Sequence, residues 1–321
     1  MENTHTEASP APEPQFPELD NALELIARSD CRTESPERIA AMDIVQQAID
    51  RVTPEDYKDF YLPGTDLPEE RQLEDYARNP LFHFYDRTFE KALAEIKIQT
   101  VPPGGAVLWH IYNMGFVVKT EKHCFAIDLH HRLGEKLVPD LDFLLITHNH
   151  DDHYTLRTDA AFSAAGKLVY SNFFPSLGGY SKEPFREIRH GDLTIRCFES
   201  DHNSSLRKFI MPFEIVCGQE KDACVIFTGG DSCCADQLAP VSPRVDFFIV
   251  HPYVGLDVVR AQETVRPAVT LVCHLNELHH PKDKWRWTFR DGIRAAEKIR
   301  ACGRAAWIPM WGERIIFRPE R

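Results

Sequence analysis

Seven consecutive residues, Thr147-His148-Asn149-His150-Asp151-Asp152-His153, constrain this chain more than any other stretch. Four residues able to bind a metal, His148, His150, Asp152 and His153, follow one another in the order His-x-His-x-Asp-His. A short apolar run, Leu141-Asp142-Phe143-Leu144-Leu145-Ile146, leads into them and predicts a buried strand that ends where the ligands begin. A strand delivers its C-terminal loop to one edge of a sheet, where open α/β sheets bind ligands. Imidazole and carboxylate donors together suit Zn, Mn or Fe, and a site on loops can keep a coordination position open for chemistry. A lone His-x-His would read as a polar surface loop, but the full pattern directly after an apolar strand does not. Asp151 reads as a spacer turned to solvent, with Asp152 turned inward.

The pattern resembles the signature of the metallo-β-lactamase superfamily. The resemblance implies that His148 and His150 bind a first metal, and Asp152 and His153 a second. It further implies a third His, a bridging Asp and a last His, each at a strand end. His202 follows the strand-like Leu193–Cys197 and would complete the first site. Asp231 follows Val225–Thr228 and a Gly pair, and would bridge both metals, with the glycines letting backbone come close. His274 ends Val269–Cys273 and would complete the second site. Asp128, after Phe125-Ala126-Ile127, resembles the early strand-end Asp that is structural near such sites. The stretch Val107–Phe116 resembles the opening hairpin, from which His110 and Asn113, together with Tyr154, would hold substrate polar groups. The resemblance runs from about Val107 to Arg318. Its end, His274-Leu275-Asn276-Glu277-Leu278-His279-His280-Pro281 and then Trp307–Arg314, looks like the branch holding ascorbate-phosphate lactonase-like and phospholipase D-like metallohydrolases. Glu277 and His279 either reach the site from the turn after the strand, Glu277 to bind substrate, or cap a surface turn. His251 ends a further strand and reads as pocket wall.

This ligand set implies a hydrolase with two divalent ions, Zn first, with Mn or Fe as alternatives. A hydroxide bridging the ions would be the nucleophile, oriented by Asp152, and the resemblance to that branch implies a small phosphodiester or lactone-like substrate. His251, His279 or a bound water would protonate the leaving group. A phospholipase D-like phosphodiesterase is the alternative within the enzyme class. A metal-stabilised binding protein without turnover is the alternative outside it.

The formal net charge of −12 opposes nonspecific binding to nucleic acid or an anionic membrane. A small molecule is therefore the expected partner, with a homo-oligomer left open. Lys282, Lys284 and Arg286 either meet an anionic substrate or form a solvated turn. Nine Cys are scattered, several inside apolar runs, which suggests no disulfide framework and fits a reducing cytoplasm. The N-terminus lacks the basic start and apolar core of a signal peptide, and no stretch approaches the roughly 18 to 20 apolar residues of a membrane span.

Residues 1–18 are rich in Pro, Glu, Ser and Thr and read as a disordered tail. Residues 19–103 read as a helical extension, with Ser35-Pro36-Glu37 as a helix start, a loop at Tyr61–Pro68 and a third helix from Leu81 or Asp86 to Ile98. It covers the pocket or forms a dimer contact. Pro102-Pro103-Gly104-Gly105 marks the boundary to a domain over 104–321. There, strands are expected at 107–111, 116–120, 124–128, 143–147, 168–171, 193–198, 213–217, 225–228, 247–250, 270–273 and 315–318, and helices near 157–165, 258–265 and 288–302. Two runs of strands with helices between them suit an α/β, four-layer αββα sandwich, helices outside two facing sheets, as the resemblance also implies.

Overall fold

A computed structural model describes residues 15–173, 179, 182–218 and 223–319. The expected tail lies outside the described residues up to position 14. Five helices come first: α1 (Pro17–Arg28), α2 (Pro36–Ile49), α3 (Pro54–Tyr61), α4 (Glu69–Arg78) and α5 (Pro80–Ile98). Four of them, α1, α2, α3 and α5, carry a proline in the first turn, where its missing N–H costs nothing and its fixed φ already suits a helix. That is why α1 begins inside the Pro-rich stretch expected to be tail. Ser35 caps α2 by accepting from the Arg38 N–H, and Thr53 and Asp56 form a reciprocal capping box on α3.

The strands follow. One six-stranded sheet contains β1 (Ala106–Tyr112), β2 (Gly115–Lys119), β3 (Cys124–Ile127), β4 (Phe143–Leu145), β5 (Leu168–Tyr170) and β13 (Arg314–Phe317), in the order β13-β1-β2-β3-β4-β5. The other, of seven strands, contains β6 (Phe185–His190), β7 (Leu193–Phe198), β8 (Phe213–Cys217), β9 (Cys224–Thr228), β10 (Val245–Val250), β11 (Pro267–Val272) and β12 (Ala305–Trp307), in the order β12-β11-β10-β9-β8-β7-β6. Strand β4 runs parallel to β3 and β5, and β10 parallel to β9 and β11. The remaining helices are α6 (Leu156–Ala164), α7 (Val258–Val265) and α8 (Phe289–Ala301).

The period of two along each strand sorts the core into layers. On β1, Leu108 joins Phe125, Phe143, Ile195, Phe213, Ile226 and Ile249 between the sheets. Its neighbours Val107 and Trp109 point the other way, towards Phe89 and Ile96 of α5. On the far side, Phe227 and Phe248 pack against Ala261 and Val265 of α7. The result is the expected αββα sandwich, with the N-terminal helices adding to its outer layer. Strand β6 was not expected from its sequence, and neither were α3 and α4 as separate helices. Among the described residues no helix is long and apolar enough to cross a membrane.

A buried ion pair ties the two ends of the chain together. The Arg38 guanidinium donates to both Glu313 carboxylate oxygens, at 2.7 and 2.6 Å, and to the Ile308 carbonyl at 2.9 Å.

Candidate metal centre

The ligand candidates sit where strands end. His148, His150, Asp152 and His153 follow β4, His202 follows β7, Asp231 follows β9, His251 follows β10 and His274 follows β11. These strand ends lie together, β7 running in the same direction as β9 because two antiparallel pairings separate them, so residues far apart in sequence meet in one place. His148, His150, His202 and Asp231 form one group whose donor atoms lie within 4.8 Å of one another. Asp152, His153 and His274 form a second. Asp231 stands between them: its Oδ2 is 3.9 Å from His148 Nε2, 3.7 Å from His202 Nε2 and 3.5 Å from His274 Nε2, and its Oδ1 is 3.3 Å from His153 Nε2. Gly230 reaches this position with φ +51, and a Cβ there would lie 2.8 Å from the Thr147 Cβ. Only glycine lets the Asp231 backbone come so close to the loop that carries His148.

The donors are oriented from behind. Asp128, at φ 43, accepts from the Thr147 N–H and hydroxyl at 2.7 and 2.8 Å. Its Oδ2 also lies 3.0 Å from His153 Nδ1. With Nδ1 donating, the His153 lone pair is left on Nε2, facing the group. Thr147 Oγ1 stands 3.0 Å from His148 Nδ1 and does the same for that ring. Asp128→Asn is expected to weaken metal binding by about 10- to 100-fold, the usual cost of losing such a partner. Competition with a chelator measures this, and an unchanged affinity would show that Asp128 does not set the His153 ring.

The donor set fits cations. Nε2 of His148, His153 and His274 and both ring nitrogens of His251 are buried without a hydrogen-bond partner among the described residues. Bare buried groups of this kind are costly. Burial pushes the Asp231 carboxyl up, but the imidazoles of His274, His153 and His251 outweigh it and hold it well below the usual carboxylate range. Burial also lowers the His153 imidazole, but Asp231, Asp152 and Asp128 raise it well above its usual value. Three carboxylates around one buried ring are negative charge that a divalent ion would neutralise.

The other site candidates divide. Asp152, Tyr154, His251 and His279 line a cavity of about 1180 Å³ that opens on both groups. His251 Nδ1 lies 3.2 Å from Asp231 Oδ1, and its ring stacks on His274 at 3.7 Å. Burial, then the His274 charge, pushes its imidazole down to about 4. Tyr154 packs edge-on against Phe173, and burial pushes its phenol above its usual range.

Three residues expected to bind substrate do not reach it. His110 places its ring nitrogens 3.0 Å from the carbonyls of Pro309 and Asn113, so both edges are taken by backbone. Asn113 is buried in the β1–β2 turn and donates from Nδ2 to the Asp152 carbonyl and carboxylate at 3.0 and 3.1 Å. It positions Asp152 instead of meeting a ligand. Glu277 is fully buried and does not line the cavity, its carboxylate occupied by Tyr112, His279 and His280. Of the three cations weighed between an anionic substrate and a solvated turn, Lys284 lies 4.2 Å over the ring of Trp285, which lines the cavity. Arg286 is buried and donates to the carbonyls of Ile49, Val52, Glu277 and Leu278, while Lys282 pairs with Asp50.

The cavity has lining that the sequence reading missed. His130 and His280 reach it from the fold's own loops, and Lys58, Tyr61 and Leu62 reach it from the α3 region. Thus the helical extension forms part of the cavity wall. No strand-end pattern marks His130, which follows Asp128 in a His-His pair.

No protein-family model matches the chain. A UPF0173 protein of Pyrococcus abyssi is 26% identical over 183 residues, covering 52% of this chain and 82% of that protein. Igni18, a metallo hydrolase from the hyperthermophilic archaeon Ignicoccus hospitalis, aligns with a TM-score of 0.53 at 16% identity, covering 67% of this chain and 100% of that one. YhfI from Bacillus subtilis, a metallo-β-lactamase fold protein, aligns at 0.51 with 14% identity, over 66% of this chain and 99% of its own. CmlA, a diiron β-hydroxylase from Streptomyces venezuelae, aligns at 0.50 with 15% identity, over 66% of this chain and 54% of its own. On its two sheets, its clustered strand-end His and Asp residues and these likenesses, the chain has the metallo-β-lactamase fold.

Proposed function

We propose that the protein is a metal-dependent hydrolase of a small phosphodiester or lactone-like substrate. One observation carries this: two groups of donors share Asp231 at the floor of an open cavity, and the Nε2 atoms of His148, His153 and His274 among them are buried and bare. His148, His150, His202 and Asp231 would hold one ion, and Asp152, His153, His274 and Asp231 the other. When bound, divalent ions (Zn, or Mn or Fe) supply a water of lowered pKa and polarise the substrate oxygen.

The chain's own residues do the rest. Asp128 and Thr147 keep the lone pairs of His153 and His148 aimed at the centre, and Asn113 fixes the Asp152 carboxylate. His279, whose imidazole Glu277 raises, faces the cavity as a proton donor for a leaving oxygen, whereas His251, pushed down to about 4, stays neutral beside it. Tyr154 shapes the wall on which the substrate rests. All nine Cys are free, which suits work in a reducing cytoplasm. The complete donor set speaks against a binding protein without turnover. A phospholipase D-like activity is the second reading, favoured by the exposed apolar side chains of Leu62, Leu156 and Trp285 on the cavity lining.

Metal analysis of the purified protein, paired with hydrolysis of bis(p-nitrophenyl) phosphate and of a simple lactone, tests the proposal. The expected result is about two ions per chain and turnover of at least one of the two substrates. Protein that takes up no metal from Zn or Mn would refute it.

A further inference from the structure

Glu277 has no part in the two donor groups, yet it is the most heavily engaged carboxylate near the cavity. Its Oε1 accepts from the Tyr112 hydroxyl at 3.0 Å, and from the backbone N–H and Nδ1 of His279, both at 2.7 Å. Its Oε2 accepts from the backbone N–H of His280 at 3.0 Å and from its Nδ1 at 2.6 Å. A fully buried carboxylate is costly unless paired this thoroughly. What the arrangement achieves is orientation. Both rings are held by Nδ1, so both are left with Nε2 as their free edge, and both line the cavity.

A third ring joins them. His130 is buried and packs 4.8 Å from His279, centroid to centroid. It stacks on Tyr61 of α3, whose hydroxyl is 3.4 Å from His130 Nδ1. With that hydroxyl donating, the neutral His130 ring carries its proton on Nε2. That nitrogen is buried without a partner, and the residue lines the cavity. These three rings do not form one of the close donor groups that would hold a metal among the described residues. His280 does belong to one such group, with Glu277 and Asp152, whose ligand atoms lie within 4.8 Å of one another, so the cluster adjoins the second donor group. Lys58 and Arg157 line the same cavity, and among the described residues Lys58 has no ion-pair partner while Arg157 pairs with Glu135 and Asp66.

We propose that the Nε2 edges of His130, His279 and His280 form an anion subsite beside the metal centre, which takes a phosphate or carboxylate group of the substrate. Calling that ligand a substrate rests on the hydrolase reading, whereas the binding does not. Burial works against charge on His279 and His280, but Glu277 outweighs it and raises both imidazoles, so each ring can offer a second N–H. A neutral lactone would leave these donors unused, so the subsite favours an anionic substrate.

Calorimetric titration of inorganic phosphate, and separately of acetate, into the full-length metal-loaded protein tests this. Phosphate can also bind the metals, so three proteins are compared: wild type, Asp231→Ala, and His279→Gln with His280→Gln. Binding should persist in Asp231→Ala and weaken at least about ten-fold in the double variant, the loss expected for charge-assisted hydrogen bonds. The tighter of the two probes then names the group. In case the double variant fails to fold, imidazole nitrogen NMR of Asp231→Ala gives a second readout, with phosphate shifting the signals of His130, His279 and His280. Binding abolished by Asp231→Ala, or shifts confined to other imidazoles, would overturn the subsite. Phosphate binding of the expected kind without hydrolysis of any ester would count against the hydrolase reading alone.

Discussion

Asp231→Ala should reduce the bound metal from about two ions per chain to at most one, and slow hydrolysis about a thousand-fold, roughly 4 kcal/mol of barrier. The reason is position. Asp231 is the only carboxylate that stands between both donor groups among the described residues, with one oxygen towards His148, His202 and His274 and the other towards His153 and His251. Removing it leaves the imidazoles without the negative charge that makes a divalent ion welcome there. Elemental analysis and steady-state rates measure the two effects. A variant that keeps both ions and most of its rate would show that the groups are bridged by something else.

Glu313→Ala is expected to cost about 3–5 kcal/mol of stability, a large share of the 5–15 kcal/mol typical of folded proteins. It leaves the Arg38 guanidinium, 1% exposed, without its carboxylate. The Met310 N–H, which donates to the same carboxylate at 2.5 Å, loses its acceptor as well. Thermal or urea unfolding measures the loss. Replacing both partners with apolar residues, Arg38→Met with Glu313→Leu, should recover most of it, because no buried charge then remains. A single variant as stable as wild type would mean that water reaches Arg38.

What could be read from the sequence follows from how each element is stabilised. Strands β9 and β10 are buried on both faces, so they are continuous apolar runs, and their ends mark Asp231 and His251 plainly. Strand β6, Phe185–His190, is an edge strand with no buried residue, and its charged sequence carries no strand signal. Helices α3 and α4 went unread around the loop given to Tyr61–Pro68, although Pro54 and Pro68 stand at their starts. At the site, residues that point forward from strand ends were recognisable. Those whose work is done from behind were not. Asn113 and Glu277 carry groups suited to a substrate, and nothing in the order of residues says that Asp152 and two imidazoles claim them first. His110 was misread for the same reason. His130 went unseen because its partner, Tyr61, belongs to a helix that the sequence reading left as a loop boundary.

Two separate stretches of chain meet across the cavity. Its floor, with every candidate ligand, comes from strand ends between His148 and His274, whereas one wall comes from α3, nearly a hundred residues earlier, through Lys58, Tyr61 and Leu62. Part of the wall that a ligand would meet is thus encoded apart from the candidate ligands. Changes confined to α3 can recast which molecules enter while every metal donor keeps its neighbours, so selection can alter diet without rebuilding the furnace.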